Sequence, residues 1–194
     1  MTEITNLEIP RRTLLKNGGL LSIAGLVALT GIGTLALGGQ ALAANPGGDV
    51  DILNVALGLE HEGIAAYQLG AESKLLKPEV LKVAVRFQDD HKAHRDLLAG
   101  AIQKLGGKPV AAKTNADYAK ALNAAALKNQ KDVLALAARL ELGAVNAYLG
   151  VIPSFGDRAL AKVAGRLAAD ETMHWTTLNA VLGQPLAKAM FFGA

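Results

Sequence analysis

The chain has 194 residues, 51% of them hydrophobic and only 4% aromatic, enough for one domain with a proper core; its Ala- and Leu-rich make-up favours helices. The formal charge of +3 is small, and no basic face interleaved with aromatic side chains appears, which excludes a nucleic-acid-binding class. Cysteine is absent, so disulfides, thiolate zinc sites, cysteine nucleophiles and lipoprotein anchors are excluded too; any metal must be held by carboxylate and imidazole, donors that suit iron, manganese or zinc.

Residues 10–16 read PRRTLLK, followed by an uncharged stretch rich in Leu, Ala and Gly that runs to Ala44. A paired Arg ahead of a moderately apolar segment resembles the twin-arginine signal, whose pattern Leu14 and Lys16 match. Ala41-Leu42-Ala43 puts small residues where a signal peptidase reads, so residues 1–43 are expected to be removed after Ala43. The resemblance implies export by the twin-arginine machinery, which carries proteins already folded, to a periplasmic or other extracytoplasmic destination. The alternative is an uncleaved leader that anchors the protein in the membrane, since the apolar run is about long enough to span it.

A Gly-rich linker, 44–50, precedes a first helix that Asp51 would cap and that ends near Ser73; Leu53, Leu57, Glu60, Ile64 and Tyr67 share its inner face. Pro78 opens a second helix, stopped by Gly106-Gly107-Lys108-Pro109, with Val83, Phe87, His91, His94, Leu98 and Ile102 on one face. A connector of some two dozen residues, with a short helix near 116–127, leads to a third helix beginning at Asp132 and carrying Leu134, Ala138, Glu141, Val145 and Tyr148. The fourth follows the loop of Pro153, Gly156 and Asp157 and presents Leu160, Val163, Leu167, Glu171, His174 and Leu178, ending at Gly183-Gln184-Pro185. Residues 184–194 form an apolar tail expected to pack on the bundle or on a neighbour.

The two halves repeat. One constant offset takes Leu53 to Leu134, Glu60 to Glu141, Ile64 to Val145 and Tyr67 to Tyr148. An offset one residue shorter takes Val83 to Val163, Phe87 to Leu167, Asp90 to Asp170, His94 to His174 and Leu98 to Leu178. The change falls in the inter-helix loops, where an indel is cheap. Two repeated hairpins joined by one long crossover between helices 2 and 3 make an all-α four-helix bundle over 51–183. Its approximate twofold brings Glu60, His94, Glu141 and His174 to one level of the interior, with His91 and Glu171 also facing in. Each unpaired charge buried there costs several kcal/mol. Salt bridges between Glu and charged His relieve part of that cost, and divalent cations relieve it more fully.

A Glu on one helix and a Glu-x-x-His pair on the next, twice over, resembles the ferritin-like di-iron or di-manganese carboxylate proteins. Glu60, Glu141 and the pair Glu171/His174 match that pattern, and His94 matches the histidine of the first half. The resemblance spans about residues 50–183 and is nearest to small exported ferritin-like proteins that include desiccation-related members. It implies that Glu60, His91, His94, Glu141, Glu171 and His174 hold one or two ions of iron or manganese, or zinc. It further implies that Asp90 and Asp170 stand behind His174 and His94, fixing tautomer and ring orientation. One position departs: His91 stands where the family has a bridging Glu, and an imidazole with one free lone pair cannot bridge as a carboxylate does. Three outcomes follow, namely an asymmetric pair bridged by Glu171 alone, a single ion, or a site without metal. Gln88 and Asp89 have helical angles that suit the site less well.

Tyr67 and Tyr148, two turns beyond Glu60 and Glu141, read as core with hydrogen-bonded hydroxyls, the alternative being that they tune the site or pass electrons; Trp175 reads as core or interface. His61, Glu62, Lys74, Lys77 and Lys82 read as surface. The function expected is an exported metal-binding protein that handles oxidants or oxidises iron, with a homodimer as its assembly. The alternative is a non-catalytic envelope protein, active in stress protection or as an interaction module, with a degenerate site.

Overall fold

The structure is a computed structural model, and it describes residues 48–185. The proposed leader, the cleavage after Ala43, most of the linker and the apolar tail beyond Pro185 lie outside these residues. Among them the elements are helices α1 (Asp49–Glu72), α2 (Pro78–Lys104), α3 (Asn115–Ala121), α4 (Gln130–Val151) and α5 (Arg158–Val181), with single 3-10 turns at Ala124–Ala126 and Ile152–Ser154. Helices α1 and α2 form one hairpin and α4 and α5 the other, and α1 packs against α4 across the bundle. This is the expected all-helical, ferritin-like arrangement, with the crossover over 105–129 joining the hairpins.

Helix starts differ from expectation by two residues. α1 begins at Asp49 with Gly48 as its N-cap, so Asp51 sits inside the first turn and caps nothing with its side chain. Asp49 is used elsewhere: its carboxylate accepts from the backbone N–H groups of Gly156 (2.8 Å) and Asp157 (3.0 Å), tying the start of α1 to the α4–α5 loop. α4 starts at Gln130 rather than Asp132 because Asn129 caps it, its side chain accepting from the Asp132 N–H at 3.0 Å. The stops are as the glycines indicate: Gly106 (φ 77°) and Gly183 (φ 66°) take the left-handed conformation just past α2 and α5.

Two apolar layers cover the two ends of the bundle interior. Leu53, Leu57, Leu98, Ile102, Tyr148 and Leu167 build one, and Leu134, Ala138 and Leu178, with Phe87 and Trp175 against them, build the other. A third, smaller cluster seats α3 on the outside of α1 and α4 through Tyr118 and Leu122, which pack with Ala65, Leu69, Leu136 and Leu140. The crossover is therefore a lid on that face. Lys74, Lys77 and Lys82 are exposed, as their sequence setting indicates.

Candidate metal centre

Glu60 on α1, His91 and His94 on α2, Glu141 on α4, and Glu171 and His174 on α5 meet between the apolar layers, each no more than 7% exposed. Among them Glu60, His91, His94 and Glu171 form one group, and His91, Glu141, Glu171 and His174 a second, in which single donor atoms all lie within 4.8 Å of one another. The two groups share His91 and Glu171, the two positions that differ between the repeats.

His94 Nδ1 lies 3.1 Å from Glu171 Oε1 and His174 Nδ1 lies 3.2 Å from Glu171 Oε2, so Glu171 spans the two histidines. The outward nitrogens face carboxylates of the opposite hairpin: His94 Nε2 is 3.3 Å from Asp170 Oδ2, and His174 Nε2 is 3.5 Å from Asp90 Oδ2. His91 turns one nitrogen to each half, Nδ1 to Glu60 Oε2 at 2.8 Å and Nε2 to Glu141 Oε1 at 3.2 Å. Gln88 and Asp89 stay out of the site. Gln88 donates to the Ile64 carbonyl and to Gln68, and Asp89 pairs with Lys92.

The tyrosines are core residues with hydrogen-bonded hydroxyls, as expected, and their bonds run to the clustered carboxylates. Tyr67 donates to Glu141 Oε1 and Tyr148 to Glu60 Oε1, each crossing to the other repeat. Helical side chains lean toward the helix N-terminus, so a phenol two turns further on reaches back to the carboxylate level. The shared offset of Glu60/Glu141 and Tyr67/Tyr148 was the available signal. Glu62 corrects the sequence reading. It is 3% exposed instead of on the surface, because the crossover closes over it. Burial raises its carboxyl to about 7 against the pull of Arg139 and Lys113. Between Glu62 and the His91–Glu141 pair lies a cavity of about 30 Å³, room for a water. His61 contacts the Val110 carbonyl at 3.1 Å on the same face.

Charges inside the centre compensate one another. Burial favours the neutral form of every member, yet hydrogen bonds from His91 and His94 outweigh it at Glu60 and hold that carboxyl at about 2. Burial is likewise outweighed at Glu141, which stays well below the usual range through His174 and His91. At Glu171 burial prevails and the carboxyl is raised. The imidazoles rise despite burial: His94 to about 10 and His174 to about 9 through their carboxylate partners, and His91 well above the usual range through Glu141 and Glu60. Burial, and next the facing carboxylates, push both phenols up, so they remain donors.

Among the described residues one buried side-chain polar atom has no hydrogen-bond partner: Glu141 Oε2, which faces His174 Nδ1 at 3.5 Å, too long for a directed bond. An unsatisfied anionic oxygen among imidazoles and carboxylates is the feature by which these residues fit a cation.

A model of the ferritin-like domain matches residues 48–184. The fold also resembles the crystal structure of a conserved hypothetical protein, rv2844, from Mycobacterium tuberculosis, with a TM-score of 0.59 and 22% identity over 73% of this chain and 94% of that one. At that identity the likeness concerns the fold alone. No protein with a curated description matches. Since the matched span contains the whole bundle and all six residues of the central cluster, the chain belongs to the ferritin-like domain family.

Proposed function

We propose that this protein binds a divalent transition metal, iron or manganese, in the bundle interior and uses it to handle oxidants or oxidise iron outside the cytoplasm. Glu60, His91, His94, Glu141, Glu171 and His174 are the proposed ligand set, which zinc also suits. The observation that carries the reading is the pair of overlapping donor groups together with the buried Glu141 Oε2, which has no hydrogen-bond partner.

A bound iron or manganese ion would supply redox chemistry and an open coordination position for the oxidant. The protein's own part is positional. Asp90 and Asp170 face the Nε2 atoms of His174 and His94 from outside, and with a metal bound they would orient those rings with Nδ1 toward the centre. Tyr67 and Tyr148 each hold one oxygen of a ligand carboxylate, and the two apolar layers keep bulk water out. Delivery by the twin-arginine route, suggested by PRRTLLK, supports export of an already folded domain; an uncleaved leader would instead tether it to the membrane. A homodimer is the proposed assembly.

Elemental analysis of protein purified after native export, then reconstituted with Fe(II) or Mn(II), tests this. Stoichiometric metal is expected, and none bound after reconstitution overturns the reading.

One observation favours a second reading. With every histidine protonated, three imidazolium groups face three carboxylates, so the cluster neutralises itself without an ion. A non-catalytic envelope protein, in stress protection or as an interaction module, would then be built on a degenerate centre. It predicts that chelator leaves the melting temperature of exported protein unchanged.

A further inference from the structure

The repeat makes the two halves of the centre look equivalent, but their oxygens are not equally engaged. Both Glu60 oxygens are taken, Oε1 by the Tyr148 hydroxyl and Oε2 by His91 Nδ1. Glu141 Oε1 receives both Tyr67 and His91 Nε2, while its Oε2 has no hydrogen-bond partner. That oxygen lies on the side of His174 Nδ1, at 3.5 Å, and Glu171 Oε2 is 3.2 Å from the same nitrogen. His174 is fixed behind by Asp90 and stacks on Phe87 with ring centroids 4.0 Å apart.

We propose that the centre takes a single divalent cation, held by Glu141, Glu171 and His174, and that His91 occupies the place of a second ion by joining Glu60 to Glu141. The inference rests on the metal-binding reading above and specifies it.

Three features place His91 in that role. Both of its nitrogens are hydrogen-bonded to carboxylates on different helices, Glu60 and Glu141, whereas His94 and His174 make such a bond through Nδ1 alone. The ring has a dedicated recess: a Cβ on Gly63 would lie 3.1 Å from His91 Cε1 and 3.2 Å from Nδ1. In the second repeat the corresponding residues are Ala144 and Glu171, so the larger ring on α2 is matched by the smaller residue on α1. Finally, two divalent ions would bring four positive charges against the three carboxylates Glu60, Glu141 and Glu171, whereas one ion brings two.

The test is anaerobic titration of the full chain with Mn(II), counting bound ions by native mass spectrometry. Nitrogen hyperfine spectroscopy on the bound Mn(II) counts its imidazole ligands in the unaltered protein. One ion with one imidazole is expected. His174→Asn should lose binding by more than about a hundredfold, the upper end of what losing even an outer partner costs, and the loss for His94→Asn should be at least about tenfold smaller. His91→Glu should raise the count to two. Two ions in the unaltered protein, two imidazoles on one ion, or equal losses for His94→Asn and His174→Asn overturn the single-ion assignment while leaving metal binding intact. No ion at all overturns metal binding itself, and this inference with it.

Discussion

At the scale of single residues, the centre depends on a few side chains that carry no metal-ligand signature. Tyr67 and Tyr148 are 7% and 2% exposed, and each donates to a buried carboxylate. Tyr67→Phe or Tyr148→Phe should each destabilise the metal-free protein by about 1.5–3 kcal/mol, the range for hydrogen bonds to charged groups; urea denaturation reads this out, and an unchanged midpoint would remove the tyrosines from the centre. Glu62 behaves in the opposite sense. Its carboxyl is raised to about 7, so the folded state holds a proton that the unfolded chain releases near 4.5. Stability is therefore lost as pH rises from 4.5 to 7, by at most about 3 kcal/mol at 1.36 kcal/mol for each unit. Glu62→Gln should raise the melting temperature at pH 8 and leave it almost unchanged at pH 4. A gain of equal size at both would contradict the assignment.

Among the elements, the contacts that set register are small residues and caps. Gly63→Ala brings its Cβ against the His91 ring and should cost about 1–3 kcal/mol, the usual penalty for overpacking. Most of that cost should vanish in a His91→Ala background, and a double-mutant cycle measures the difference. An undiminished cost would place the strain elsewhere. At the head of α4, Asn129→Ala removes the acceptor for the Asp132 N–H and should cost about 1 kcal/mol, measurable by chemical denaturation. The crossover acts at this scale too. By laying Tyr118 and Leu122 on α1 and α4 it buries Glu62, which nothing in the periodicity of the first helix anticipates.

For the whole molecule, the three carboxylates and three imidazoles make stability depend on pH from both sides. His174 and His94 are raised to about 9 and 10, so in metal-free protein their contribution is complete below 6.5 and disappears as pH rises through 9 to 10. Glu60 is lowered to about 2; its contribution is complete above 4.5 and disappears as pH falls through 2. Thermal unfolding followed by circular dichroism should show the histidines' contribution falling progressively from about pH 6.5 to 10 and levelling off beyond, after the earlier fall that the raised carboxyls of Glu62 and Glu171 bring above pH 4.5. Flat stability from pH 6 to 11 would mean that the histidines are not held charged.

Much of this was readable in one dimension. Glycines and proline at helix ends, inward stripes at helical spacing and the offset repeat were enough for two hairpins, a long crossover and one shared level for Glu60, His94, Glu141 and His174, because they depend on local backbone preference and a fixed helical period. The burial of Glu62, the direction of the tyrosines and the imbalance between the two halves were not readable, because they depend on which groups meet across helices. His91 shows the division most clearly. The sequence by itself determined that an imidazole stands where its repeat has Glu171, since that comparison needs only aligned spacing. Only the tertiary structure decided what the imidazole does there, since a ring's two nitrogens acquire partners, Glu60 and Glu141, only when three helices close around it.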